Sequence, residues 1–242
     1  MTKRSAARRT PDRHTTLLDL LGAAICAGEI PVGTVLSADE LCERHGISRS
    51  VVREALRVLA SMGLVDSKRG VGTTTQPRSA WNLLDTQVID WRLRSPARLD
   101  QLRELAELRV GVEPEASALA AQRSDPDAVG RLMAVGAGMW DAAHRGDTEE
   151  FLRLDITFHT LVLAASGNPM YSQFAPVVRA LLLGRAEHGL AAMHPREHAL
   201  ECHMTILRAI QTGDPDRARS TSREMIMDAL EESRSLWEAA SV

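Results

Sequence analysis

The sequence has few cysteines, few aromatic residues and no long apolar run, and each shortage excludes a class of protein. Its 242 residues include three cysteines, at Cys26, Cys42 and Cys202, and 3% aromatic residues. Scattered cysteines in an odd number do not make a disulfide framework and fit reduced thiols in a cytoplasm. No apolar run reaches the roughly 18 residues of a transmembrane helix, and the charged N-terminus lacks the apolar stretch of a secretory signal. We therefore expect a cytoplasmic protein without a membrane partner.

Charge is divided unevenly along the chain. Residues 1–78 hold 12 Lys/Arg against 8 Asp/Glu, whereas the remaining residues hold 17 against 24. A hydrophobic content of 44% is ample for a core, and the length allows one large domain or two small ones. A basic N-terminal part on an acidic body is typical of a protein that binds nucleic-acid phosphates through one end. The alternative is a basic face that is merely solvated. A DNA-binding motif in the same segment would argue against this alternative.

Residues 47–64, ISRSVVREALRVLASMGL, have the pattern of a DNA recognition helix. Ser48 is suited to cap this helix, because its hydroxyl can accept a hydrogen bond from an otherwise unpaired backbone N–H group. Apolar residues recur at helical spacing and predict a buried stripe: Val51, Val52, Ala55, Leu56, Val58, Leu59 and Met62. Arg49, Ser50 and Arg53 lie off this stripe. In the major groove, arginine can bind a phosphate or the edge of a guanine.

The residues on either side of this helix complete a winged helix-turn-helix module over 13–78. Two helical patterns precede it, separated by a turn rich in glycine and proline: 14–27 and the segment after Ser37. Two segments of strand composition follow it: 64–65 and 71–75. The basic turn between them predicts a two-stranded wing with three residues placed to approach DNA: Lys68, Arg69 and Gly70. Residues 1–12, which precede the module, are predicted to be a flexible arm.

From residue 80 onward the pattern is helical. A connector over 79–95 is predicted to hold a short helix at 81–93, and 96–242 to form a second domain. Its helices are marked by proline and glycine breaks and by Asp-Pro and capping-box starts; the expected ranges are 96–123, 125–146, 147–167, 170–188, 195–212 and 214–239. Short links between long helices predict an antiparallel α-helical bundle. The fold class is therefore mainly α, a winged helix-turn-helix followed by a helical bundle.

Short motifs in a fixed order resemble the GntR family of bacterial transcription regulators. In the N-terminal part they are Gly33-x-x-Leu36, Glu40-Leu41, Gly46-Ile47-Ser48-Arg49 and Val52-Arg53-Glu54-Ala55-Leu56. In the helical part they resemble the ligand-sensing FCD domain of the FadR subfamily: Glu107-Leu108-Arg109, Asp155-x-x-Phe158-His159, Ser166-Gly167-Asn168-Pro169 and Ala209-Ile210-x-x-Gly213-Asp214. The resemblance implies a homodimer that binds a palindromic double-stranded DNA operator and is released or remodelled by a small metabolite.

The second helix departs from the family pattern. Family members commonly carry a Glu-Arg-Glu-Leu run there, whose arginine contacts DNA. This chain has Ser37-Ala38-Asp39-Glu40-Leu41, without an arginine. We therefore expect operator contacts to depend more heavily on Arg49, Arg53 and the wing.

A second group of residues predicts a metal site in the helical domain. Asp155 and His159 are four residues apart, so they lie on one helix face, where a carboxylate and an imidazole can share a divalent metal. A solvated Asp/His pair is the alternative from spacing alone. The resemblance implies that Asp155, His159 and His203 are metal ligands for Zn²⁺, Ni²⁺ or Mn²⁺, and that a fourth ligand, often histidine, falls at Met225. A thioether is a poor ligand for these ions, so either the effector completes a weaker site or the metal has been lost.

The same resemblance implies an effector site around these ligands. Arg109 would face the cavity and bind a carboxylate through its planar guanidinium; a surface salt bridge with Glu113 is the alternative. Arg179 is a second candidate, and a structural salt bridge explains it equally well. The connector, Trp81-Asn82-Leu83-Leu84-Asp85-Thr86-x-Val88-Ile89-x-Trp91, is similar to that of sugar-acid-responsive family members of the galactonate and gluconate type. It predicts an aldonate or other small carboxylate as effector, although both tryptophans could simply pack the hinge.

The combined prediction is a DNA-binding repressor that a carboxylate or sugar acid releases from its operator. One alternative is a constitutive DNA-binding dimer whose sensor pocket is degenerate and free of metal. Another is a metal-dependent hydrolase. The sequence has no HExxH motif, nucleophile elbow or glycine-rich phosphate loop, which argues against any enzyme.

Overall fold

The computed structural model describes residues 13–68, 70, 72–187 and 197–240. The chain divides into two compact units, Met1–Arg98 and Leu99–Val242. The predicted arm at 1–12 and the wing residues Arg69 and Val71 lie outside the described residues. Within the described part of the chain, no helix combines the length and the apolar character needed to span a membrane.

The first unit has the element order of a winged helix-turn-helix. The elements are α1 (Arg13–Ala27), β1 (Val35–Leu36), α2 (Ala38–His45), α3 (Arg49–Ser61), β2 (Val65–Lys68), β3 (Gly72–Thr75), a 3₁₀ turn (Arg78–Ala80) and α4 (Thr86–Leu93). Helix α1 packs against α3. Leu17 and Leu21 of α1 and Val52 and Leu59 of the apolar stripe predicted on α3 belong to one buried core. The core therefore holds α3 by its apolar side and leaves the opposite side exposed.

Local signals set the ends of α2 and α3. The Ser37 side chain accepts a hydrogen bond from the Glu40 N–H group at the start of α2, and Gly46 ends that helix in a left-handed conformation with φ of 61°. Ser48 caps α3, as predicted, by accepting from the Val51 N–H group. Gly63 follows α3 with φ of 76°, and a Cβ atom there would lie 2.1 Å from the carbonyl oxygen of Ala80. Only glycine fits this position, because a side chain would meet backbone.

The wing contains three strands in the order β1-β3-β2, all antiparallel. The predicted two-stranded hairpin is present as β2 and β3, and β1, which is too short to show an alternating pattern and was not predicted, pairs with β3 as a third strand. Val35 pairs with Thr74, and the Thr75 N–H group donates to the carbonyl oxygen of Thr34 at 3.0 Å. Asp66 to Lys68 also belong to strand β2, so the turn at the tip is shorter than predicted.

Helix α4 packs on α1 within the first unit. It begins at Thr86, later than predicted, because the Asp85 carboxylate caps it by accepting from the Gln87 N–H group at 2.8 Å. The indole of Trp91 covers Gly22, where an added Cβ atom would lie 2.4 Å from the ring. Its N–H group donates to Asp19 at 2.7 Å. The connector helix α4 is thus held against α1 by two contacts. The Trp91 ring packs on Gly22, and the Trp91 N–H group donates a hydrogen bond to Asp19.

The second unit is a helical bundle in its described residues. The helices are α5 (Arg98–Arg123), α6 (Pro126–Arg145), α7 (Thr148–Ala165), α8 (Pro169–Ser172), α9 (Ala175–Glu187), α10 (Glu197–Thr212) and α11 (Pro215–Ala240). The predicted caps Asp125, Asp147 and Asp214 each accept a backbone hydrogen bond at 2.9 to 3.0 Å. The single helix predicted over 170–188 was wrong, because α8 ends at Ser172 and a new helix, α9, begins at Ala175 with Pro176 in its first turn.

The core of the second unit lies where α6, α7, α10 and α11 meet. Leu132, Met139, Phe158 and Ile206 are each at most 1% exposed. Burial of each such side chain contributes about 1.5 to 3 kcal/mol of transfer free energy. This apolar packing positions the polar residues on the inner faces of α5, α7 and α10.

Candidate functional site

The exposed side of α3 carries the residues predicted to contact DNA. Ser48, Arg49, Ser50 and Arg53 are all exposed. The hydroxyl groups of Ser48 and Ser50 lie 2.9 Å apart and share a hydrogen bond. The structure therefore brings the predicted reading residues together at the N-terminal end of α3, the end that enters the major groove in helix-turn-helix proteins.

The three arginines of α3 differ in their partners. Arg49 forms an ion pair with Asp39 of α2 at 2.9 Å, and Arg57 forms one with Glu54 at 2.7 Å. Arg53 has no ion-pair partner among the residues that the structure describes. Asp39 lies in α2, in the segment where this chain lacks the arginine that family members commonly carry. Its carboxylate pairs with Arg49 of α3. Of the three guanidinium groups, that of Arg53 is therefore the most available for phosphate or base contacts.

The wing contributes a smaller basic group. Lys68 at the end of β2 lies 3.5 Å from Asp66 and is 70% exposed. Gly70 has φ of 85°, a left-handed conformation that makes the tight turn possible. The third predicted residue, Arg69, lies outside the described residues.

In the second unit, Asp155 and His159 of α7 meet His203 of α10. One candidate ligand atom from each side chain lies within 4.8 Å of the others. Both histidines are 4% exposed. Nε2 of His203 lies 2.9 Å and Nε2 of His159 lies 3.4 Å from Oδ1 of Asp155. The bundle thus assembles all three predicted metal ligands around one carboxylate oxygen.

The hydrogen bonds of His203 fit a metal ligand. Its Nδ1 atom donates to the carbonyl oxygen of Ala199 at 2.6 Å, since a carbonyl oxygen can only accept. Nε2 therefore keeps its lone pair and points to Asp155. Among the described residues, Nε2 of His203 and Oδ1 of Asp155 are buried without a well-aligned hydrogen-bond partner. Unsatisfied buried polar atoms are costly, and a cation between them would satisfy both, so the residues fit a divalent metal.

Glu113 of α5 is a further residue of this site. From the sequence it was considered only as a possible surface salt-bridge partner of Arg109. It is 1% exposed, and its carboxylate accepts hydrogen bonds from the Arg109 guanidinium while lying 2.5 Å from Nδ1 of His159. A carboxylate behind a histidine fixes the orientation of the ring and raises its basicity. The available signal was an Arg/Glu pair four residues apart among apolar neighbours, a pattern that fits both a surface pair and a buried one.

The charges of this cluster shift three pKa values. Burial opposes ionisation of Glu113, but the charges of Arg109 and His159 outweigh it and lower the pKa of Glu113 to about 2. Burial likewise opposes protonation of His159, yet Glu113 raises its pKa to about 9. The pKa of Asp155 falls well below its usual value, because the nearby imidazoles of His159 and His203 outweigh the opposing effect of its burial. Without a cation, a proton on His159 balances the negative charge.

Other predicted site residues occupy different surroundings. The side chain of Arg179 is exposed, and the structure does not bring it to the cluster. Met225 is 7% exposed and belongs to the apolar core with Phe158, consistent with a packing role for its side chain. A small cleft next to Arg109 is also lined by Arg185 of α9 and by Ile226, Ala229 and Leu230 of α11.

Comparison with known proteins agrees with this architecture. Residues 104–228 match the family model "FCD domain", and residues 14–74 match "Bacterial regulatory proteins, gntR family". The chain is 30% identical over 221 residues to the galactonate operon transcriptional repressor of Escherichia coli (strain K12), covering 90% of this chain and 95% of the relative. The chain belongs to the GntR family. This GntR protein is therefore a DNA-binding transcription regulator with a helical FCD domain, and its family is one of regulators and not of hydrolases.

Further relatives of the GntR protein support the same assignment. A probable D-xylose utilization operon transcriptional repressor of Paenarthrobacter nicotinovorans is 30% identical over 205 residues, covering 83% of this chain and 79% of that protein. The solved structure "Streptococcus agalactiae GntR" aligns with a TM-score of 0.51 at 28% identity, covering 90% of this chain and 99% of that one. The similarity extends through both units.

Proposed function

We propose that this GntR protein is a homodimeric repressor that a small carboxylate releases from a palindromic operator. The observation that carries the sensing part is the buried group of Asp155, His159 and His203, in which two polar atoms lack a well-aligned partner. Burying such groups costs stability. A ligand site explains that cost better than packing does.

Asp155, His159 and His203 would hold a divalent metal through Oδ1, Nε2 and Nε2. Bound there, the metal would supply a Lewis-acidic centre for hydroxyl and carboxylate oxygens. Glu113 holds His159 by its Nδ1 side and the carbonyl oxygen of Ala199 holds His203, so both rings present Nε2 to the same point. With Met225 in the apolar core, three protein ligands leave positions for water or effector oxygens.

An aldonate or similar hydroxy acid is the effector class that these groups fit. Glu113 engages Nε and Nη2 of Arg109, which leaves Nη1 for an effector carboxylate. One relative named above is the repressor of a galactonate operon, and galactonate is an aldonate, which favours a sugar acid. The cleft beside Arg109 holds about 10 Å³ of free space, roughly one water molecule. Effector binding therefore requires the surrounding helices α9 and α11 to move apart.

That movement is what could change DNA binding. A ligand shifts an equilibrium between two arrangements only by its difference in affinity for them. An effector that binds the open cleft and not the closed one stabilises the open arrangement of the FCD domain. In a dimer, such a change can alter the spacing of the two recognition helices on a palindrome.

The test is operator binding in the presence of a panel of sugar acids, with and without a chelator. One acid should raise the melting temperature and weaken operator binding, and the chelator should abolish both effects. His159→Ala should remove the response while leaving basal operator affinity intact, and His144→Ala, an exposed histidine of α6, should change neither. Operator binding that no acid affects would instead establish the constitutive dimer with a degenerate pocket.

A further inference from the structure

A second group of metal-binding side chains lies between α10 and α11. His198 and Cys202 are four residues apart on α10, and Glu224 and Asp228 are four residues apart on α11. Each pair therefore lies on one helix face, and the two faces meet. Cys202 and His203 are adjacent in sequence, so their side chains point in different directions from α10, and the group is separate from the inner cluster.

The distances in this group match those between the ligands of one ion. Nε2 of His198 lies 3.0 Å from Oδ2 of Asp228 and 3.5 Å from Oε1 of Glu224. Sγ of Cys202 lies 3.7 Å from the same Nε2 atom. Zn–N, Zn–O and Zn–S bonds of about 2.0 to 2.3 Å in a tetrahedron place neighbouring ligand atoms about 3.3 to 3.6 Å apart. One candidate ligand atom from each of His198, Cys202 and Glu224 lies within 4.8 Å of the others, whereas Asp228 contacts the group through His198 and would move to complete the set.

A plain surface ion pair accounts for only part of this arrangement. His198, Glu224 and Asp228 are each a little over half exposed, as in many solvated pairs. Cys202 is 4% exposed, yet its sulfur faces this polar group. The sulfur lies 3.7 Å from Nε2 of His198, an atom that also contacts the carboxylates of Glu224 and Asp228, and this negative surrounding favours a cation.

We propose that His198, Cys202, Glu224 and Asp228 form a second divalent-metal site, which clamps α10 to α11. One nitrogen, one sulfur and two oxygen ligands suit Zn²⁺ and its analogues Co²⁺ and Cd²⁺ better than Mg²⁺ or Ca²⁺. On binding, the Cys202 thiol loses its proton to solvent and the sulfur bonds to the metal as a thiolate. Three of the ligands are exposed and Cys202 is buried beneath them, and the site does not require the inner cluster to be loaded.

Co²⁺ titration of the full-length, reduced and tag-free protein tests this site through its sulfur ligand. Thiolate bound to Co²⁺ gives a near-ultraviolet charge-transfer band, which the inner cluster cannot produce because it contains no sulfur. We expect the band in the wild-type protein, in His159→Ala, which disables the inner cluster, and in Cys42→Ser, which removes another thiol. The band should be lost in Cys202→Ser. Its absence from the wild-type protein, or its persistence in Cys202→Ser, would overturn the proposal.

Two further variants separate loss of ligands from loss of fold. Glu224→Gln and Asp228→Asn change exposed side chains and remove a charged ligand without opening the core. Each should weaken Co²⁺ binding, read from the same band, by roughly tenfold or more while far-ultraviolet circular dichroism stays unchanged. Glu231→Gln, on the same helix, is the matched control and should bind Co²⁺ like the wild type. Equal affinity in all three variants would refute the carboxylate ligands.

Discussion

Replacing Glu113 by glutamine tests whether the buried charge network holds the sensing domain together. The substitution keeps the size of the side chain and one acceptor oxygen, removes the negative charge, and replaces the second acceptor oxygen, which also binds Arg109, by an NH₂ donor. Arg109, 5% exposed, would then be a buried cation without its main counter-charge. His159 would lose the carboxylate that raises its pKa.

The expected loss of stability follows from the pKa of Glu113. Its value of about 2, against the usual 4.5, corresponds at neutral pH to about 3 kcal/mol, since one pKa unit equals about 1.4 kcal/mol. Breaking a buried ion pair by removing one partner typically costs about 3 to 5 kcal/mol. Because the two routes agree, we expect Glu113→Gln to lower the melting temperature of the FCD domain by roughly 10 °C.

The pH dependence of unfolding gives a second measure of the same network. The pKa of Glu113 is lowered by folding, so its contribution is present above about pH 4.5 and is lost as the pH falls towards 2. The pKa of His159 is raised by folding, so its contribution is full below pH 6.5 and is lost as the pH rises through 9. Both dependences should flatten in Glu113→Gln.

Calorimetry and urea unfolding at several pH values measure these effects, with a chelator present so that no metal contributes. Glu107→Gln is the control, because Glu107 is exposed on the same helix α5. A melting temperature of Glu113→Gln within about 2 °C of the control at neutral pH would refute the argument, since the carboxylate would then contribute less than about 1 kcal/mol.

The DNA-binding unit supplies three further predictions. Arg53→Ala should weaken operator binding roughly 10- to 100-fold by gel shift, whereas Arg57→Ala, whose guanidinium already pairs with Glu54, should have little effect; equal losses would contradict this assignment. Asp39→Ala should release Arg49 from its ion pair and tighten operator binding, measured by fluorescence anisotropy. The gain should be at most roughly fivefold, since exposed ion pairs contribute about 0 to 1 kcal/mol. Weaker operator binding would contradict this role of Asp39. Gly63→Ala should destabilise the unit by roughly 2 to 4 kcal/mol in urea unfolding, because the left-handed backbone and the Ala80 carbonyl both oppose a side chain; an unchanged midpoint would show that the contact relaxes freely.

Patterns that depend on near neighbours in sequence were predicted best. Ser48, Asp125 and Asp147 cap helices in the structure as the sequence indicates, because a cap binds backbone two or three residues away. The short strand β1 was missed, because its two residues form a strand only by pairing with β3. The break between α8 and α9 was missed as well, although Pro176 in the first turn of α9 is a local signal for a helix start.

The sensing site shows the same division. Asp155 and His159 could be paired from their spacing on α7, and the resemblance to the FCD domain added His203. The importance of Glu113 could not be read from the sequence, because an Arg/Glu pair four residues apart looks the same on a solvated face and in a core. Burial is what turns that pair into a support for His159, and burial depends on how α5 packs against α7.

The contact of Trp91 with Gly22 gives the connector helix a mechanical role. The indole fills the space above the glycine and donates to Asp19, so α4 is held against α1. Helix α1 in turn packs against α3, and a continuous path of contacts therefore joins the connector helix to the recognition helix. Through this path, we expect a displacement of α4 to reach α3.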